Sequence, residues 1–197
     1  MKKILVGCSV LSLLLVSGCQ NNEDEPPQET LTLLTNDVYE APKNPTQEQI
    51  KVYNELSEAL KANAADEKIA SLVAVNFAYD FFSLYNKTDK TDIGGLMFLP
   101  EESHEEFINM AAYKYYNNYD TVVSQYSKED LPNVIMHEVT SVTAGQFSLH
   151  DRIYEGYAVS LTLKYKDSKL SADALKTTMK MQVIQMNGVY YVIAVED

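Results

Sequence analysis

The chain has 197 residues, 46% of them hydrophobic, and a formal net charge of −12. That length suits one domain of common size plus a targeting segment and a spacer. With 16 basic against 28 acidic residues, nucleic acid is disfavoured as a partner, because phosphate binding needs clustered lysine and arginine. Direct adsorption to anionic lipid is disfavoured for the same reason.

In chain order, Lys2 and Lys3 precede an apolar run from Ile4 to Val16, which closes on Val16-Ser17-Gly18-Cys19. A positive start, a short apolar stretch and small residues at the cut define an export signal. The run falls short of the roughly 20 apolar residues a spanning helix needs. This tract resembles the lipobox of bacterial lipoproteins, with Val16 where leucine is commoner. The resemblance implies that residues 1–18 are a signal peptide removed before Cys19. It implies that Cys19 carries an S-diacylglycerol and an N-acyl chain such as palmitate. The protein is then expected on the outer face of the cytoplasmic membrane, or in the outer membrane if the cell has one. Two or more acyl chains hold firmly, at about 0.8 kcal/mol per buried CH₂. The two cysteines are Cys8, inside the leader, and Cys19. The mature chain is therefore expected to have no free thiol, disulfide or thiolate metal site.

Residues 19–46 read as the lipidated cysteine followed by an acidic, proline-containing tether. Glu23, Asp24, Glu25, Pro26 and Pro27 lead it, and Pro42 and Pro45 close it. Such composition buries too little surface to fold alone. Leu31, Leu33 and Leu34 interrupt it as candidate docking points. Residues 47–197 then read as a single domain.

Thr46 with Gln49 makes a capping box, and Ile50, Tyr53, Leu56 and Leu60 follow at helical spacing. Asp66 is the expected cap of a second helix running to about Asn86. Its apolar stripe is Ile69, Leu72, Val73, Phe77, Phe81 and Leu84; Asn76, Asp80, Ser83 and Lys87 line another side. After Gly94-Gly95, Pro100 fits a first helical turn. Glu101 and Glu102 match a helix start. This third helix continues through Phe107, Met110, Ala111 and Lys114 to a tyrosine-rich end, with a further turn expected around residues 120–130. From Asn133 the period changes to two. Strands are expected over Val134–Thr143, Tyr157–Lys166, Lys176–Met186 and Val189–Val195. Asn187-Gly188 joins the last two in a type I′ turn.

Helices first and a strand meander afterwards imply an α+β fold, with helices packed on one face of a curved antiparallel sheet. Over residues 66–197 this order resembles the NTF2-like, cystatin-like cone. That family includes small-molecule enzymes, substrate-binding accessory domains and VirB8-like components of transfer machines. The resemblance is one of topology and matches no catalytic motif residue by residue, so it implies a fold and no activity.

The chain carries no pattern for common catalysis. His104, His137 and His150 are scattered and form no HExxH pair, there is no Gly-x-Ser-x-Gly elbow, and no Lys-Ser or Lys-Thr follows Gly94-Gly95. No metal, cofactor or catalytic residue is expected. Asp80 could act as a general base inside an apolar cone, but Asn76 and Ser83 beside it read as a solvated stripe. Phe77, Asp80, Phe81 and Tyr157 are the expected lining if the cone holds a small ligand. Tyr113, Tyr115, Tyr116 and Tyr119 cannot all enter one core. They form a candidate contact patch for a protein or a carbohydrate, or they cover the sheet end. The favoured expectation is a lipid-anchored binding or scaffold module without catalysis and with an envelope protein partner. The alternatives are a small-ligand binder or enzyme using the cone, and a VirB8-like component of a transfer apparatus.

Overall fold

The computed structural model describes residues 30–196. Cys19, the leader and the first part of the tether lie outside the described residues.

Four helices precede four strands. They are α1 (Gln47–Lys61), α2 (Asp66–Phe82), α3 (His104–Lys114) and α4 (Tyr119–Gln125), followed by β1 (Val134–Leu149), β2 (Arg152–Tyr165), β3 (Thr178–Met186) and β4 (Val189–Glu196). The strands form one antiparallel sheet in the order β1-β2-β3-β4. The fold is therefore α+β, with a simple meander for its sheet.

The capping box of α1 is formed as its sequence implies. The Gln49 backbone N–H donates to Thr46 Oγ1 at 3.2 Å, and the Thr46 N–H donates to Gln49 Oε1 at 2.9 Å. Helix α2 begins one residue earlier than an Asp66 cap implies. Ala65 holds the cap position without a side-chain bond, while Asp66 and Glu67 occupy the first turn, where the helix dipole favours negative charge. α2 also stops at Phe82 rather than near Asn86. Ser83 is extended, its hydroxyl accepts the Val134 N–H at 3.1 Å, and the Leu84 and Tyr85 N–H groups turn to the Pro132 carbonyl. Tertiary partners thus replace the next helical turn.

Every residue of α2 from Leu72 to Phe82 is buried, as expected of a helix that is apolar around most of its circumference. It lies on the inner face of the sheet. Between the two, Val73, Phe77, Val159, Met181 and Val183 have no measurable exposure. Side chains, not an open cone, fill that space.

Two hairpins have primed turns. Asn187 and Gly188 sit at φ 53° and 83°, the type I′ geometry their sequence signals. His150 and Asp151 sit at φ 47° and 62° and join β1 to β2 the same way. Both strands are consequently longer than their alternation alone suggests. Because β3 pairs with β2 only from Gly156 to Thr162, the outer ends of β1 and β2 continue past the sheet as a two-stranded ribbon.

Residues 30–46, expected to be part of a tether, pack on the domain. Within residues 30–46, Tyr39 is 4% exposed and belongs to the core. Its hydroxyl donates to the Tyr190 carbonyl at 2.7 Å, and its own carbonyl accepts the Tyr53 hydroxyl at 2.7 Å. Asn36 Nδ2 donates to Tyr53 Oη and Ser57 Oγ. The Leu31 and Leu34 N–H groups donate to Gln47 and Asn54 side chains. This stretch is a strap on the domain. Leu31 and Leu34 stay 39% and 38% exposed, so backbone hydrogen bonds and Tyr39 hold it more than those leucines do.

On β1, His137 Nδ1 lies 3.2 Å from the Tyr79 hydroxyl, with the rings edge to face. Burial, the largest influence, holds the His137 pKa below its ordinary value of 6.5, because a low dielectric disfavours the imidazolium. The folded state thus binds fewer protons than the unfolded state. Its contribution is fully present above about pH 6.5 and is lost as pH falls through the folded pKa. Chemical-denaturation midpoints of the wild type should fall between pH 7 and pH 5 by more than those of His137→Gln. Parallel pH curves for the two would refute this account.

Candidate functional site

Three polar side chains, two on one side of α2 and one at its C-cap, carry the local design. Asn76 Nδ2 donates to the Val52 carbonyl of α1 at 3.0 Å and to Leu72 at 2.8 Å. Ser83 receives β1, as described. Asp80, between them, takes the loop that follows the helix. All three are buried, and so is Lys87, with Asp80 at 5% and Lys87 at 3% exposure. The expectation of a solvated stripe is therefore incorrect: the stripe faces other parts of the chain, and each member ties α2 to a different element.

The loop folds so that Lys87 returns alongside α2. Its N–H closes a turn on the Leu84 carbonyl, and Nζ reaches Asp80 Oδ1 at 2.6 Å. Beyond it, Asp89 and Asp92 close short side-chain-to-backbone turns on Thr91 and Thr88, a common use of aspartate in loops. The chain then crosses Asp80 at Gly94-Gly95, and the Gly95 N–H donates to Asp80 Oδ2 at 2.6 Å. Gly95 has φ +83° and caps a 3-10 turn over Leu96–Phe98. The glycine pair thus leads into a turn. Asp80 thus has one oxygen on an ammonium and the other on a backbone N–H. The pair's charges balance locally, which is what allows them below the surface.

Tyrosine hydroxyls complete the frame. Tyr116 Oη accepts the Gly94 N–H at 3.1 Å and donates to the Phe81 carbonyl at 2.8 Å. Tyr119 Oη donates to the Lys87 carbonyl at 2.8 Å. Burial pushes the Tyr116 hydroxyl well above the usual phenol range, so it serves as a neutral donor and acceptor. These two residues correct the four-tyrosine patch. Tyr116 and Tyr119 are 0% and 5% exposed, whereas Tyr113 and Tyr115 are 77% and 37% exposed. Tyr115 leans edge-on against Phe81 and Phe82. The helical phase used to group them fails because α3 ends at Lys114 and Tyr116 lies past that end.

The four residues expected to line one cavity do not converge. Phe77 and Phe81 border an apolar groove of about 310 Å³ between α3 and β4. Asp80 borders a separate cleft of about 490 Å³. Tyr157 sits beside Tyr190, with ring centroids 6.3 Å apart. The cause is the filled space between α2 and the sheet, which leaves concavities only at the periphery.

The cleft is taken as the candidate site because the buried ion pair borders it. The Asp80–Lys87 pair borders it together with Gly94; the strap supplies Val38, Tyr39, Glu40 and Lys43; Ile93, Leu96 and Met97 supply apolar surface. Glu101 and His104 come from the start of α3 and the turn before it, and the His104 ring bonds the Leu99 carbonyl at 3.2 Å. Sequence reasoning placed Asp80 and Lys87 on one side, as the structure has them, and missed Asp92 and Glu40 as further lining of the cleft. Their spacing of seven fits a helix face, but α2 ends at Phe82 and the four residues 83–86 bring Lys87 back as part of a loop. Among the described residues, no group of three or more His, Cys, Asp and Glu side chains could hold a metal ion, and no helix is long and apolar enough to cross a membrane. No protein-family model, curated protein or solved structure matches this chain.

Proposed function

We propose that the protein is a lipid-anchored binding module on the outer face of a bacterial membrane, acting without catalysis and engaging an envelope partner through the cleft beside Asp80 and Lys87. The observation that carries the binding reading is a concave site bordered by a buried ion pair whose carboxylate has both oxygens engaged. Such a pair is a poor source of stability compared with apolar packing, and it stands in the wall of a surface cleft. The lipobox-like Val16–Cys19 tract supports the anchor. Between Cys19 and Thr30 the chain can span at most about 40 Å, which would keep the start of the strap within that distance of the membrane surface. An NTF2-like assignment remains part of this reading, on the order of helices and strands; a cone-held ligand loses support because its four candidate residues are dispersed.

The test of the anchor is the intact mass of protein extracted from membranes. The expected species begins at Cys19 and carries diacylglycerol and an amide-linked acyl chain, and Cys19→Ala should abolish that mass and release protein from the membrane fraction. An unprocessed or unlipidated amino terminus overturns the reading.

A further inference from the structure

We infer that the apolar groove between α3 and β4 is a second binding site, separate from the cleft, and that it takes a single-chain anionic amphiphile, a long-chain fatty acid. The groove holds about 310 Å³, at the lower end of the roughly 300–1,000 Å³ of small-molecule sites, which suits one acyl chain rather than two. Phe77, Phe81 and Phe107 line it as one aromatic cluster, with ring centroids 5.5, 5.8 and 5.0 Å apart. Phe107, Met110 and Lys114 come from one face of α3. On that face Ala111 is the one buried residue of the helix, while Phe107 and Met110 are half-buried. A helix seated on the sheet would bury the whole face; here the groove stands where packing would. The opposite wall is Ile193, Ala194 and Val195. There β4 bulges, because its register passes from Ala194 opposite Gln182 to Val192 opposite Val183 and leaves Ile193 over. A bulge bends its strand and re-aims its side chains, as happens beside binding sites.

Charge decides the occupant. Lys114 is the sole charged side chain of the lining, and with the Tyr115 hydroxyl it is the only strong hydrogen-bonding side chain there. It is exposed and forms no ion pair among the described residues. Glu196, the acid next along β4, is engaged by Gln182 and Lys180. Apolar walls with one uncompensated cation match a ligand that is apolar along its length and anionic at one end. A peptide carries an amide at every residue, and these side chains offer no strong acceptor to its N–H groups. Lys114 also stands in the last turn of α3, where a lysine suits the helix dipole, so the test must separate the two roles.

The full-length protein, held in detergent-free bilayer discs of phosphatidylcholine, is irradiated with palmitic acid carrying a mid-chain diazirine, and the labelled residues are mapped by peptide mass spectrometry. The expected result is saturable labelling on the two walls, at residues 107–110 and 193–195. Palmitate should displace the probe at a concentration about five-fold or more below that of hexadecanol, which has the same chain and a neutral head. Lys114→Met should weaken labelling about five-fold or more and abolish the preference for palmitate over hexadecanol. Lys128→Met removes equal charge at an exposed position outside the groove and should stay within about two-fold of wild type. Circular dichroism of both variants checks the fold.

Labelling that does not saturate, or that reaches the exposed Tyr113 and Tyr126 in comparable yield, would reduce the effect to partition from the bilayer and overturn the inference. So would equal displacement by hexadecanol in the wild type, or a Lys114→Met protein that still prefers palmitate. Loss of labelling in discs containing phosphatidylglycerol would assign the groove to a two-chain anionic lipid. Stronger displacement by an uncharged valine-rich peptide would assign it to a polypeptide. Either result removes the fatty acid as its ligand, and none of these outcomes bears on the cleft or the anchor.

Discussion

Lys87→Met should be the most damaging single change of a polar side chain in this protein, lowering stability by about 3–5 kcal/mol. For a domain of this size that is a fall of roughly 6–20 °C in Tm. The reasoning is one of stranded charge. The ammonium lies 2.6 Å from Asp80 Oδ1, with the two side chains 3% and 7% exposed. Methionine approximates the lysine stem in length and apolarity, so it fills the volume but leaves the Asp80 carboxylate with the Gly95 N–H as its remaining direct partner. An ion pair taken from water is worth little as a pair, and its loss on one side is costly because the other charge stays buried.

Two further variants separate this account from a packing effect. In Asp80→Asn with Lys87→Met, both charges are gone and the asparagine oxygen can still accept from Gly95; most of the lost stability should return. In Asp80→Leu with Lys87→Met, the Gly95 N–H is left without its acceptor, which should forfeit about 1–3 kcal/mol of that recovery. Urea-denaturation midpoints of the four proteins form the comparison. If Lys87→Met alone unfolds within about 1 kcal/mol of wild type, the pair is not the buried, directed interaction described above.

The same residues show what was legible beforehand. Periodicity located α1, α2 and all four strands, because a stripe at helical spacing or an alternating face is imposed by burial and leaves its trace in adjacent residues. The Thr46–Gln49 box and the Asn187-Gly188 turn were readable because each is a local device whose chemistry lies within four residues. The His150-Asp151 turn was not read, since neither residue is glycine. Aspartate nonetheless tolerates the left-handed region better than most, and the pairing of Phe147 with Tyr154 across the ribbon appears only once the strands are joined.

The site was legible at two residues, Asp80 and Lys87, whose spacing places them on one side. Asp80 was weighed, and it was then assigned to solvent because Asn76 and Ser83 stand at its side. Spacing reports which residues share a face and not what that face meets. Here it meets α1 through Asn76, a loop through Asp80 and β1 through Ser83, three partners separated in sequence by 24, 15 and 51 positions. A polar stripe on an otherwise apolar helix is thus compatible with solvent or with a set of buried ties. The number of apolar residues on the helix's remaining circumference is the sequence feature that favours the second. The tyrosines failed for a related reason: helical phase was carried past Lys114, where α3 stops.

Gly94→Ala should destabilise by about 3 kcal/mol or more, through contact rather than conformation. A Cβ on Gly94 would stand 2.1 Å from the Asp80 carbonyl oxygen, 2.7 Å from its carbon and 2.7 Å from Lys87 Nζ. The first two belong to the backbone of a buried helix, so relief must come from the loop. Moving it stretches the Gly94 bond to Tyr116 and the Gly95 bond to Asp80, 3.1 and 2.6 Å in the native state. Overpacking alone costs about 1–3 kcal/mol, and each weakened buried bond adds about 0.5–1.5 kcal/mol. Gly188→Ala is the control for conformation without contact. Its φ is +83°, yet nothing lies within 4 Å of the added carbon, so only the left-handed penalty of about 1–2 kcal/mol applies. Denaturation midpoints should therefore rank wild type, Gly188→Ala and Gly94→Ala in falling order. Hydrogen exchange should localise the second loss to the Gly188 hairpin and the third to residues 84–95 and the adjoining turn of α2. A Gly94→Ala protein as stable as Gly188→Ala would mean that the loop does not cross α2 at contact distance, and the cleft would lose the wall on which its binding role depends.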